Sequence, residues 1–208
     1  MKNILNFLIN IGKLKGVKRR GLTFYGVKEP DSTTDHMFRM ALMAWFFGKN
    51  KKFNMEKIIK TVLIHDICKV LTGDITPYDG LLPTNKKKRE KFVNRWLFLP
   101  LKVKEKKYRL KFKKEYNALR KLTLKLPAKL KKEIKKIWLD YHESKSPEAK
   151  FVSQIDIAEN LLEAFEWRKK NKEFPTLPWW EHAEEVIDDQ SLLDFLKEIE
   201  KEELKRSR

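Results

Sequence analysis

Residues 36–48 read His-Met-Phe-Arg-Met-Ala-Leu-Met-Ala-Trp-Phe-Phe-Gly, a run in which only His36 and Arg39 are polar. Its preceding residues, Asp31 to Asp35, are rich in the side-chain oxygens that cap helix N-termini. A helix that is apolar nearly all round must be enclosed by other elements, so this one is central to whatever the chain builds. With 208 residues, the chain can enclose it within a single domain. Glycine and proline are scarce, at 7 and 8 residues, which favours helix over strand. The expected fold class is all-α, a helical bundle.

Apolar spacing places the other elements. A first amphipathic helix covers 2–13, with Ile4, Leu5, Leu8 and Ile9 inward, and is read as a helix of the domain and not as a signal peptide. A basic loop with Arg19 and Arg20 follows. Asn54 caps a helix over 55–71 that buries Ile58, Ile59, Val62 and Leu63 and carries His65-Asp66. Residues 72–83 form a loop with Gly73, Pro77, Asp79 and Gly80. A helix is expected over 85–98. Alternation of Leu99, Leu101 and Val103, and of Tyr108, Leu110 and Phe112, predicts a small β-hairpin. Helices are then expected over 113–125, from Pro127 to Tyr141, and over 147–168 behind Ser146-Pro147. A loop at 175–180 leads to one or two helices over 181–204, a C-terminal extension at about 181–208.

The net charge of +18 is concentrated in one place: residues 86–114 hold 14 Lys or Arg against 2 Glu. The rest of the chain is only mildly basic, so the charge describes a segment, a basic insertion at about 86–106, more than a whole nucleic-acid-binding surface. Nucleic acid is a possible partner through 86–114. No apolar run reaches the roughly 18 residues of a membrane span, so no membrane partner is expected. Cys68 is the single cysteine, which suits a reducing, cytoplasmic compartment.

His65 and Asp66 end an apolar helical run, where an imidazole and a carboxylate are costly to bury without partners. A divalent cation can satisfy both. Asp156, bordered by Val152 and Ile155 on the apolar side of its helix, makes the same demand. His36, taken alone, reads as a first-turn histidine near solvent.

The order His36, His65-Asp66, Asp156 resembles the pattern of the HD-domain metal-dependent phosphohydrolases. Segments Asp31–Ala41, His65-Asp66 followed by Thr72–Pro77, and Glu148–Asp156 continuing to Glu166-Trp167 resemble the HD-domain 5′-nucleotidases acting on deoxynucleoside monophosphates. The resemblance covers about 1–84 and 115–170. It implies that His36, His65, Asp66 and Asp156 ligate one divalent metal (Mn, Co, Mg, Ni, Fe or Zn). It also implies a nucleotide site lined by Asp74, Ile75, Thr76 and Pro77, with Arg19 or Arg20 on the phosphate, and a homodimer. Asp74 would orient water, hold a sugar hydroxyl or help hold a second cation. Two positions depart from the family. Lys69 stands where many members are acidic, and Leu22 where many are aromatic. Lys69 either substitutes for a second cation beside the phosphate or marks a weakened site.

The expected activity is hydrolysis of (deoxy)nucleoside 5′-monophosphates to nucleoside and phosphate. Two alternatives keep the scaffold: another phosphoester substrate, or a catalytically weak protein that binds nucleotides or nucleic acid.

Overall fold

The computed structural model describes residues 1–76 and 101–205, together with 79, 85, 88, 91 and 92. The chain forms two compact units, each made of two separate stretches. Unit 1 takes Met1–Asp35 and Asp66–Lys135, and unit 2 takes His36–His65 and Lys136–Arg208. The helices are α1 (Lys2–Ile11), α2 (Arg20–Phe24), α3 (Thr33–Gly48), α4 (Met55–Ile64), α5 (Lys69–Thr72), α6 (Leu101–Thr123), α7 (Ala128–Glu143), α8 (Pro147–Lys170), α9 (Leu177–Val186) and α10 (Gln190–Lys205). A 3-10 turn, Gly12–Gly16, follows α1. Among the described residues there is no strand, only an isolated antiparallel bridge between Lys18 and Ser32. None of the described helices is long and apolar enough to cross a membrane.

In unit 1, the 17–19 segment is tied to 31–33 through Arg19 N–H to Asp31 O (2.9 Å) and Thr33 N–H to Val17 O (2.8 Å). Leu14, Leu22 and Phe24 are buried there. At the start of α3, Ser32 and Asp35 satisfy each other's backbone N–H groups, a capping box with aspartate in the second role. In contrast with the expectation for α1, Leu5, Leu8 and Ile9 are each more than half exposed.

The expected β-hairpin is not present: α6 runs unbroken from Leu101 to Thr123. Leucine, valine and tyrosine at every second position suggested strands, but Val103, Tyr108 and Leu110 are exposed, and the turned-in residues include Lys104, Lys107, Lys111, Phe112, Glu115, Ala118, Leu119 and Leu122, at helical spacing. A helix whose inward stripe begins with lysines has no apolar signature over its first turns. The helix expected over 85–98 lies largely outside the described residues.

Unit 2 is arranged on α8, which packs against α4, α9 and α10. Met40 and Ala44 of α3, Ile58 and Val62 of α4, and Val152, Ile155, Ala158 and Leu161 of α8 are fully buried in one apolar cluster with Ala183 and Leu192. The caps expected at Asn54 and Ser146 are present: Asn54 accepts from Lys57 N–H and Ser146 from Ala149 N–H. One expected helix, 55–71, is two: α4 stops at Ile64, a turn occupies 65–68, and α5 is a single turn. The break falls at His65-Asp66, and it hands the two residues to different units.

Truncating the core of unit 2 should be costly. Ile155→Ala is expected to lower unfolding free energy by about 3 kcal/mol, whereas Phe38→Ser, at a side chain 68% exposed, should change it by less than about 0.5 kcal/mol. Urea denaturation of both variants checks the contrast.

Candidate metal centre and its supporting residues

His36 lies in the first turn of α3, His65 directly follows α4, and Asp156 sits within α8. One potential ligand atom from each lies within 4.8 Å of the others, with both histidines buried. Their rings meet edge to face, centroids 5.7 Å apart. Each ring is oriented through Nδ1. His65 Nδ1 is 2.8 Å from the Val62 carbonyl, and His36 Nδ1 meets the Glu159 carboxylate. A carbonyl or carboxylate only accepts, so Nδ1 carries the proton, and in the neutral ring Nε2 carries the lone pair. His36 Nε2 is 3.2 Å from Asp156 Oδ1. Two acceptors at that separation repel each other unless positive charge stands with them. Two imidazole nitrogens and a carboxylate oxygen, with their second atoms tied down, are a donor set that suits a divalent transition metal.

Glu159 is fully buried, and a buried carboxylate needs compensation. Arg39 supplies it, with Nε 2.8 Å and Nη2 2.7 Å from Glu159 Oε1, while Arg39 Nη1 donates to Glu166 at 2.6 Å. Burial works against the guanidinium charge, yet Glu159 and Glu166 hold its pKa above the ordinary arginine value. The negative charge behind His36 makes Nε2 a better electron donor. Asp156 is held from two sides: Tyr141 Oη donates to Oδ2 at 2.7 Å, and Asn160 Nδ2 donates to Oδ1 at 2.8 Å.

Unit 1 gathers the second set of expected residues. Lys69 Nζ is 2.6 Å from Asp66 Oδ2 and 2.6 Å from Asp74 Oδ1, and Arg19 Nη1 is 3.9 Å from the same Asp66 oxygen. Arg19, Asp66 and Lys69 are buried. Burial works against the Lys69 charge, but Asp66 and Asp74 hold its ammonium above the ordinary lysine pKa. Burial alone would raise the Asp74 carboxyl; Lys69 and Arg19 overcome it and bring the pKa down to about 2. Asp74 Oδ2 also accepts the Arg20 backbone N–H at 2.7 Å, so both its oxygens are engaged. The Arg20 side chain, half exposed, pairs with Asp79 Oδ1 at 3.2 Å. Thr76 N–H donates to Asp79 Oδ2 at 2.7 Å, and Ile75 N–H to the Gly73 carbonyl at 3.0 Å. Pro77 lies outside the described residues. Leu22, where the family is often aromatic, is 1% exposed.

Glu159, Tyr141 and Asn160 were not singled out from the sequence. The signal for Glu159 and Asn160 was available: they stand three and four residues after Asp156, hence on its face of the helix. Arg39, one turn after His36, was visible as a polar intruder without a partner to explain it.

An all-α chain with two imidazoles and a carboxylate converging on one point matches a known class. The HD domain family matches residues 11–186. The chain is 31% identical over 202 residues to 5′-deoxynucleotidase HDDC2 of Bos taurus, covering 97% of this chain and 86% of that protein. It is 35% identical over 177 residues to 5′-deoxynucleotidase HDDC2 of Dictyostelium discoideum, covering 82% and 80%. Solved structures from Pyrococcus furiosus (TM-score 0.67, 20% identity, 95% and 99% covered) and Pyrococcus horikoshii (0.66, 22%, 94% and 97%) share the fold. The chain belongs to the HD domain family. It is an enzyme of the phosphohydrolase class, which implies a divalent metal, and His36, His65 and Asp156 form a group able to hold one.

Two predictions follow the geometry. Glu159→Gln removes the charge behind His36 while keeping the shape, and should weaken divalent-cation binding about 10-fold by titration calorimetry. The second concerns acid stability. Asp74 has a folded-state pKa of about 2 against an ordinary 3.8. Its stabilisation is therefore complete above pH 3.8 and is lost as pH falls through 2, a contribution of about 2 kcal/mol. Asp74→Asn should flatten the fall of melting temperature over that interval; an unchanged slope would assign it to other carboxylates.

Proposed function

We propose that this chain hydrolyses deoxynucleoside 5′-monophosphates to nucleoside and phosphate, using one divalent cation. The observation that carries the reading is the convergence of His36, His65 and Asp156 with both Nδ1 atoms committed elsewhere. It occurs in a chain whose relatives over nearly all its length are named 5′-deoxynucleotidases. His36, His65 and Asp156 hold the cation, with Asp66, the chain neighbour of His65, as a fourth ligand by the family pattern. When bound, the cation supplies Lewis-acid polarisation of a phosphate oxygen and lowers the pKa of a water.

The chain's own residues do the rest. The Val62 carbonyl and Glu159 keep the two imidazoles in the ligating tautomer. Arg19 is the phosphate arginine in this reading: it is the buried one, whereas the Arg20 fork is committed to Asp79. A guanidinium presents a planar fork that suits two phosphate oxygens. Asp74, with Lys69, fixes the backbone at Arg20 and so positions the arginine before it. Lys69 supplies fixed positive charge between two carboxylates, the place where an acidic residue would invite a second cation. Ile75 and Thr76 line the nucleoside side, as the family pattern implies.

One observation favours a second reading. Lys102, Lys106, Arg109, Lys113 and Lys114 are all exposed on α6, a basic face suited to a polyanion. A homodimer in the cytoplasm completes the proposal. Its supports are the family resemblance, the exposed aromatic side chains of Trp45 and Phe46, and the single cysteine.

Metal analysis of the purified protein, followed by phosphate release from 5′-, 3′- and 2′-monophosphates in ribose and deoxyribose forms, tests the proposal. One metal per chain and release confined to 5′-deoxynucleotides are expected, both lost in Asp156→Ala. A metal-loaded protein that turns over none of them, yet binds nucleic acid in a strongly salt-dependent way, would replace this reading with the second.

A further inference from the structure

The Asp156 carboxylate has two oxygens with unlike surroundings. Oδ1 lies 3.2 Å from His36 Nε2 and accepts from Asn160. Oδ2 accepts the Tyr141 hydroxyl at 2.7 Å. Asn160 is itself held, because its amide also donates to the Asp156 backbone carbonyl at 2.7 Å, one turn back along α8. The Tyr141 ring packs on the apolar cluster of unit 2, and its centroid is 5.2 Å from that of His65. One aromatic side chain thus touches two of the three converging residues, His65 by its ring and Asp156 by its hydroxyl.

Tyr141 and Asn160 are neutral donors to the Asp156 carboxylate. A phenol and an amide orient it and leave the charge for a cation. A carboxylate can take a metal through one oxygen or through both, and the second mode fills an extra coordination position. Oδ1 is the oxygen 3.2 Å from the His36 nitrogen, and Oδ2 is the one that takes the Tyr141 hydroxyl.

We propose that Tyr141 is a positioning residue that makes Asp156 a one-oxygen ligand, and so sets the coordination number and the metal preference of the site. The inference rests on the metal-site reading above. Its chemical content is that a smaller cation with a preference for six separate ligands is favoured over one that accepts a chelating carboxylate, and that a coordination position stays open for substrate.

Tyr141→Phe keeps the ring against His65 and removes only the hydroxyl, which makes it the informative variant. Cobalt(II) is the probe, because its visible absorption intensity reports coordination number. Wild-type protein and Tyr141→Phe are each titrated with cobalt(II), with circular dichroism to compare helix content. The expected result is one cobalt per chain in both, an altered visible band in the variant, and affinity weakened about 10-fold. Competition should also shift: calcium should displace cobalt from Tyr141→Phe more readily than from wild type. Identical spectra and identical affinities in the two proteins would overturn the role of Tyr141 while leaving the metal site standing. Failure of wild type to bind cobalt, manganese or zinc would overturn the metal-site reading, and this inference with it. A variant that lost helix content would be replaced by Tyr141→Leu, which also removes the hydroxyl from Oδ2; an unchanged band there would overturn the one-oxygen assignment.

Discussion

A carboxylate with no solvent exposure holds unit 2 to its chemistry. Glu159 sits among the apolar residues of α8, where an unpaired charge would be prohibitive. It is tolerated because His36 stands on one oxygen and Arg39 on the other. Those two partners come from one turn of α3, so the packing of α3 on α8 is specified by charge as well as by shape. A slide along either helix would strand three polar groups at once, whereas apolar contacts alone would accept it at small cost. The histidine therefore arrives at Asp156 in one orientation.

Legibility in the sequence followed how each residue announces itself. His36, His65, Asp66 and Asp156 stood out because polar groups interrupt apolar helical runs, and the words around them resemble a family. Lys69 and Asp74 stood out one by one, through the resemblance, and the structure puts their charged atoms 2.6 Å apart. The break at His65-Asp66 left no mark, because Ile64, Ile67 and Val70 continue the apolar pattern through it. The hairpin was misread for a related reason: over the first turns of α6 the inward positions are lysines, and period-two alternation was the only apolar signal left. Tyr141 could not be foreseen, since its target is fifteen residues further along the chain and on another helix.

The basic character divides in the same way. Most of the net charge of +18 belongs to residues 86–114. Lys69 and Arg19 instead neutralise carboxylates in unit 1, and Arg39 does so in unit 2. Composition counts both kinds of cation alike, which is why net charge alone is a poor guide to partners here.

The interleaving of the two units constrains how the chain is made. Unit 1 is complete once residue 135 has been synthesised, but the first stretch of unit 2, His36–His65, precedes most of it. Met40, Ala44, Ile58 and Val62 then have to wait for α8, their principal cover, which is still untranslated. At about 10 residues per second the wait is of order ten seconds, long for an apolar surface on a ribosome. Nascent chains stalled after residue 135 should thus carry the apolar residues of an unfinished unit still without their cover.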